Sequence, residues 1–163
     1  MTEGQQLAEA LEGYFSRTDN GWFTPFTIAM DGLTAQQAVQ VPAPRFNSVW
    51  AVVNHVRMCQ EIALLWLRRL PVDRKALGAE DDWPPPAAPP TEPAWQAARD
   101  KVVRLNKELA DYVAGLSDDE LDEPCEDGPT RRHVIQGVLA HNSYHTSEII
   151  SIRHYLGWWV KES

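Results

Sequence analysis

His141-Asn142-Ser143-Tyr144-His145-Thr146-Ser147-Glu148-Ile149 is the stretch from which the rest of the chain can be read. It lies inside Thr130 to Leu156, a segment whose apolar spacing predicts one long helix. Two histidines four residues apart stand about 40° apart around a helix axis and roughly one turn, about 6 Å, along it. Both imidazoles can therefore reach one ion, and imidazole is a ligand for zinc, nickel, copper and iron. Val134, Val138, Glu148 and Ile152 share the stripe with His141 and His145, so this face is predicted to turn inward. A pair alone carries little weight. A third ligand has to come from another helix, and His55 is the candidate.

His55 falls in a second apolar helix predicted to start at Asn47 or Ser48 and to stop at Pro71. A single inward histidine is commonly a hydrogen-bonded core residue. Three of them, each desolvated, are satisfied together by a shared cation. Three ligands leave a coordination position open, whereas a closed structural zinc site wants four. Cys59, one turn beyond His55, is either that fourth ligand or a small apolar filler, and the filler is the expectation. Glu148, one turn past His145, either orients a ligand imidazole, takes a proton from a bound species, or makes a salt bridge to a neighbouring helix. Residue 142 is Asn, so the protease pattern His-Glu-x-x-His is absent. His133 precedes His141 by eight residues, about 12 Å of helix, and His154 falls about 180° from His145, so neither is expected to share the ion.

Outward from these two helices, Leu7, Leu11, Tyr14 and Phe15 predict a first helix starting near Gly4. Asp19-Asn20-Gly21 interrupts it, and Trp22-Phe23-Thr24-Pro25-Phe26 is expected to resume it as far as Met30. Trp22, Phe23 and Phe26 are either core residues or the lining of an entrance to the site. Thr34-Ala35-Gln36-Gln37 suits an extra turn of helix. Pro71 to Pro93, with Pro84-Pro85-Pro86 and Pro89-Pro90, reads as a stiff crossing long enough to let helices two and three run parallel. Thr91-Glu92-Pro93 opens helix three, with Gly115 as its natural stop in the left-handed conformation. Ser117-Asp118-Asp119-Glu120 is a capping box for one short turn. The fold class is all-α: a four-helix bundle, up-down-down-up, with a long Pro-rich crossover between helices two and three, forming a single domain over 1–163.

With 163 residues and 44% hydrophobic content, the chain suits one packed domain. A net charge of −8 and scattered basic residues argue against nucleic acid as a partner. No stretch approaches 18 apolar residues, so no membrane span is expected. Cys59 and Cys125 form no Cys-x-x-Cys, and the polar Met1-Thr2-Glu3-Gly4 start carries no apolar leader, so a cytoplasmic protein with reduced thiols is the expectation. Adjacent Trp158 and Trp159 cannot both be buried by one helix face, which suggests a partner surface or a folded-back chain end.

These motifs resemble the DinB-like (DinB/YfiT) superfamily. The likeness is carried by Val53-Asn54-His55, by His141-Asn142-Ser143-Tyr144-His145 followed by Glu148-Ile149, by Arg153 and Leu156-Gly157, and by Phe23-Thr24-Pro25 with Asp31-Gly32-Leu33-Thr34. The resemblance implies a four-helix bundle, often a homodimer, holding a divalent metal (usually nickel or zinc) on His55, His141 and His145. It also implies thiol-dependent transferases and isomerases that use bacillithiol, mycothiol or glutathione. A non-catalytic bundle with a structural ion and a metal-dependent hydrolase are the alternatives.

Overall fold

The computed structural model describes residues 1–17, 22–77, 83, 91–125 and 128–158. These form helices and no strand: α1 (Glu3–Phe15), α2 (Phe26–Ala29), α3 (Ala35–Ala38), α4 (Val49–Leu67), α5 (Glu92–Ala114), α6 (Asp118–Asp122) and α7 (Arg131–Tyr155). Local chemistry sets most starts. The hydroxyls of Thr2, Thr34, Ser48, Thr91, Ser117 and Thr130 each accept the backbone N–H three residues on, satisfying a donor that the first helical turn cannot.

Two ends differ from the sequence expectation. α4 closes at Leu67, before Pro71, because Arg69 takes a left-handed conformation (φ 57°). The Leu70 N–H then bonds the Leu65 carbonyl and the Arg69 N–H bonds that of Trp66, each at 2.9 Å. Gly115 is not left-handed, with φ −86°, and α5 simply stops there. Gly157, by contrast, follows α7 at φ 78°, with the Trp158 N–H on the Arg153 carbonyl at 2.7 Å. Trp22 to Pro25 is not helical. Only Phe26–Ala29 is, since Pro25 fixes an extended backbone before it. Asp19-Asn20-Gly21, Pro84-Pro85-Pro86, Pro89-Pro90 and Trp159 lie outside the described residues.

α4 packs against α5 and α7, and α1 packs against the same two helices. Along α4 and α5, Trp50 meets Trp95 (ring centroids 6.0 Å) and the Tyr112 hydroxyl donates to the Leu67 carbonyl (3.0 Å). Along α4 and α7, the Arg131 Nε–H donates to the Leu67 carbonyl (2.9 Å) and the Asn47 amide donates to Glu148 (2.7 Å). Two buried arginines fix the ends of α7. Arg131 also donates to the Glu120 carbonyl and pairs with Glu123. Arg153 donates to the carbonyls of Ala29 and Asp31, and burial holds its pKa below the ordinary value.

The apolar core has two large clusters and a small third one of Met58 and Ile62. One large cluster holds Phe15, Phe26, Val52, Val56, Trp95 and Ile149; the other holds Leu11, Leu64, Leu109, Val113, Leu121 and Ile135. Between them, along α4, α5 and α7, lies a buried polar layer: His55 and Gln60, Asn106, and Asn142 with His145. Among the described residues no helix is long and apolar enough to cross a membrane.

Candidate metal centre

α4 contributes His55 to this layer, and α7 contributes His141 and His145. A ligand nitrogen from each lies within 4.8 Å of the other two, so the three residues expected from the sequence do converge. The Nε2 atoms of His55 and His141 are 3.1 Å apart. Two nitrogens bound to one tetrahedral zinc at 2.0–2.1 Å would be separated by about 3.3 Å. The observed spacing is thus close to the edge of a coordination tetrahedron, and the donor set fits a divalent ion of this kind.

Protonation favours the same role. His141 is pushed down to about 4, first by burial and then by the charges of His145 and His55, so it is neutral at pH 7. Burial alone would raise Glu148. Hydrogen bonds from His145 and Asn47 outweigh that effect and leave its carboxyl below the usual range. An ionised Glu148 Oε2 accepts from His145 Nδ1 at 2.7 Å, so that nitrogen is engaged and Nε2 is the ring nitrogen left to ligate. Glu148 Oε1 accepts the Asn47 amide at 2.7 Å. Of the roles open to Glu148 in the sequence, the geometry matches orientation of a ligand imidazole.

Several neighbours were not foreseen as site residues. Trp83 lies flat on His55, with ring centroids 4.2 Å apart and planes within 9°, and meets His145 edge-on at 5.7 Å. No helical period marks Trp83, since it falls in the Pro-rich stretch. Of the two caps open to α4 in the sequence, Asn47 or Ser48, it is Ser48 that caps the helix, and Asn47 holds Glu148. Cys59 is half-buried and not a sealed filler; its Sγ is 3.7 Å from His55 Nε2. His133 is exposed and His154 half-buried, both outside the cluster, as spacing implies.

The three aromatics after the first helix fall in different places. Phe26 is fully buried and stacked on Phe15 (4.6 Å), Trp22 is 91% exposed, and Phe23 meets Tyr14 edge-on (4.8 Å). The cavity that reaches His141 opens between α4 and α7, with a volume of about 350 Å³.

A family model described as the DinB superfamily matches residues 24–149, a span that includes all three histidines and Glu148. Comparison with curated proteins and with solved structures gave no match.

Proposed function

Because the chain belongs to the DinB superfamily, we propose that it binds one divalent ion, nickel or zinc, on His55, His141 and His145, and that it is a thiol S-transferase of the bacillithiol, mycothiol or glutathione type. The observation that carries the metal reading is the convergence of three ring nitrogens in a buried layer, one of them oriented by an ionised Glu148. When bound, the ion supplies Lewis acidity that lowers the pKa of a coordinated thiol. The chain's own part is positional. Glu148 keeps the His145 proton on Nδ1, Trp83 covers one face of His55, and the α4–α7 cavity gives a second reactant a route to His141.

The proposal includes an up-down-down-up bundle, with the Pro-rich stretch as the crossover between α4 and α5. It is supported by Trp50 meeting Trp95 while Leu67 meets Tyr112, and by Leu67 meeting Arg131 while Asn47 meets Glu148. A cytoplasmic homodimer belongs to the same reading. Trp158 gives it no support, since it packs in part on its own core. Light scattering at micromolar concentration decides the dimer, and a monomer there rejects it.

One observation favours a structural ion instead: Cys59 Sγ lies near enough to His55 to close the site as a fourth ligand. The test has two steps. Metal content is measured in the wild type and in His55→Ala, His141→Ala, His145→Ala and Cys59→Ser; the three histidine variants should lose the ion and Cys59→Ser should keep it. The nickel and zinc forms are then incubated with each thiol and a panel of electrophiles. Conjugation with at least one thiol, lost on metal removal and in His55→Ala, supports the transferase. Inert thiols together with metal loss in Cys59→Ser establish the structural reading.

A further inference from the structure

The cavity beside His141 is walled by α4 and α7, which run antiparallel: Asn47 meets Glu148 at one end, and Leu67 meets Arg131 at the other. Cys59 and His141 therefore line the end near the candidate metal centre, and Trp66 and His133 line the end away from it. His133 precedes His141 by eight residues, so these ends stand about 12 Å apart along α7. Between them Ile62, Val134 and Val138 make an apolar wall. Arg74 lines the cavity from the loop after α4, a loop that lays Val72 and Leu77 on Met58 and Ile62.

The charge on these walls is unlike that of the chain as a whole. The sequence has 23 acidic and 15 basic residues and a net charge of −8. Among the described residues no carboxylate lines the cavity, whereas the Arg74 guanidinium and the His133 imidazole do. Asp73, next to Arg74 in sequence, serves its own turn and accepts the Ala76 N–H at 3.0 Å. Arg74 has contacts elsewhere, but a guanidinium carries five N–H donors and can keep a partner while it donates to a carboxylate. Arg74 and His133 are both exposed, so an anion beside them stays partly hydrated and escapes the cost of full burial.

We infer that this cavity binds a carboxylate with an apolar chain: the anion at Arg74 and His133, the chain along Ile62, Val134 and Val138 towards Cys59 and His141. A chain of net charge −8 repels anions in general, so a preference for one here comes from these two side chains. A volume of about 350 Å³ is at the small end for ligand sites and limits the guest to a short chain or a single ring. The binding itself needs no ion. Only taking this carboxylate as the second substrate of the transfer rests on the proposed function.

The experiment is calorimetry near neutral pH on the full-length chain as purified, with octanoate, 1-octanol and octylamine as probes. Octanoate should bind at least about tenfold more tightly than the other two, the scale of a hydrogen bond between charged groups. Arg74→Gln should bring octanoate down to the level of octanol, and Arg74→Lys should keep most of the preference. Arg74 is exposed and outside the helices, so both variants should fold. Gly137→Leu should abolish binding, because Gly137 lines the cavity and a Cβ there meets nothing within 4 Å. Octanol or octylamine binding as tightly as octanoate overturns the inference, as does no binding of any probe. An octanoate preference unchanged in Arg74→Gln overturns it too, since the carboxylate is then held elsewhere, the metal centre included. Metal content of the same preparations is read separately and no thiol is added, so failure of the cavity and failure of the proposed function are different results.

Discussion

Glu148 engages both carboxylate oxygens on its neighbours, one with His145 and one with Asn47, linking the start of α4 to α7 beside the histidines. Glu148→Gln keeps the shape but removes the charge that holds the proton on His145 Nδ1. Partners of this kind are worth about 10–100-fold in metal affinity, and a loss of that size is expected in competition with a chromogenic chelator. His141 gives a pH prediction for the metal-free protein. Its folded pKa, about 4, lies below its ordinary 6.5, so the unfolded chain binds more protons between those values. Its contribution to stability is complete above pH 6.5 and is lost as pH falls towards 4. Urea midpoints should drop across that window, with a flatter profile in His141→Leu. The two thiols should also separate. Half-buried Cys59 should react with iodoacetamide, while Cys125, buried and with its pKa raised by that burial, should resist until the protein unfolds. At this scale the sequence was legible where residues repeat on a helix. His141 and His145 declare themselves by spacing, and His55 by its place in an apolar run. Trp83 and Asn47 reach the site from non-helical backbone, where no period says which way a side chain points.

Helix α7 carries two of the three candidate ligands and is tied down near both ends. Arg131 grips the carbonyl end of α4 near its start, and Arg153 grips the carbonyls after α2 near its end. The phase of α7 is thus set at both ends, and His141 and His145 are aimed from between. Gly157 terminates it in a conformation that costs an L-residue, so Gly157→Ala should destabilise the protein by about 1 kcal/mol in urea titration. Gly4 makes a different demand. A Cβ there would lie 2.6 Å from the Leu116 carbonyl oxygen and 2.7 Å from that of Val113, both backbone atoms. Gly4→Ala gains helix propensity, yet α1 would have to shift off the end of α5, and a net loss of about 1–3 kcal/mol is expected. Helix starts were legible because Ser and Thr caps are local chemistry. The close of α4 was not, because Arg69 adopts a left-handed conformation that β-turn and glycine signals do not announce. Trp22 to Phe26 reads as a helix because its aromatics are apolar; of these only Phe26 is helical, and it stacks on Phe15 in the core.

At the scale of the whole molecule, two large apolar clusters with a polar layer between them explain why the candidate site lies inside the bundle. The layer gives up apolar contact, and its hydrogen bonds to Asn106 and Glu148 restore part of what that omission costs. His55 and His141 are separated by 86 positions in the chain. An ion joining them is a crosslink, and the loop it closes contains the Pro-rich stretch, all of α5 and all of α6. By the chain-entropy relation used for disulfides, closing a loop of this length removes about 4–5 kcal/mol of freedom from the unfolded chain. His141 and His145 are local to each other and add little to that figure; His55 supplies nearly all of it. A chelator would then act on this bundle as a reductant acts on a cystine bridge, releasing a covalent-like constraint between distant parts of one chain.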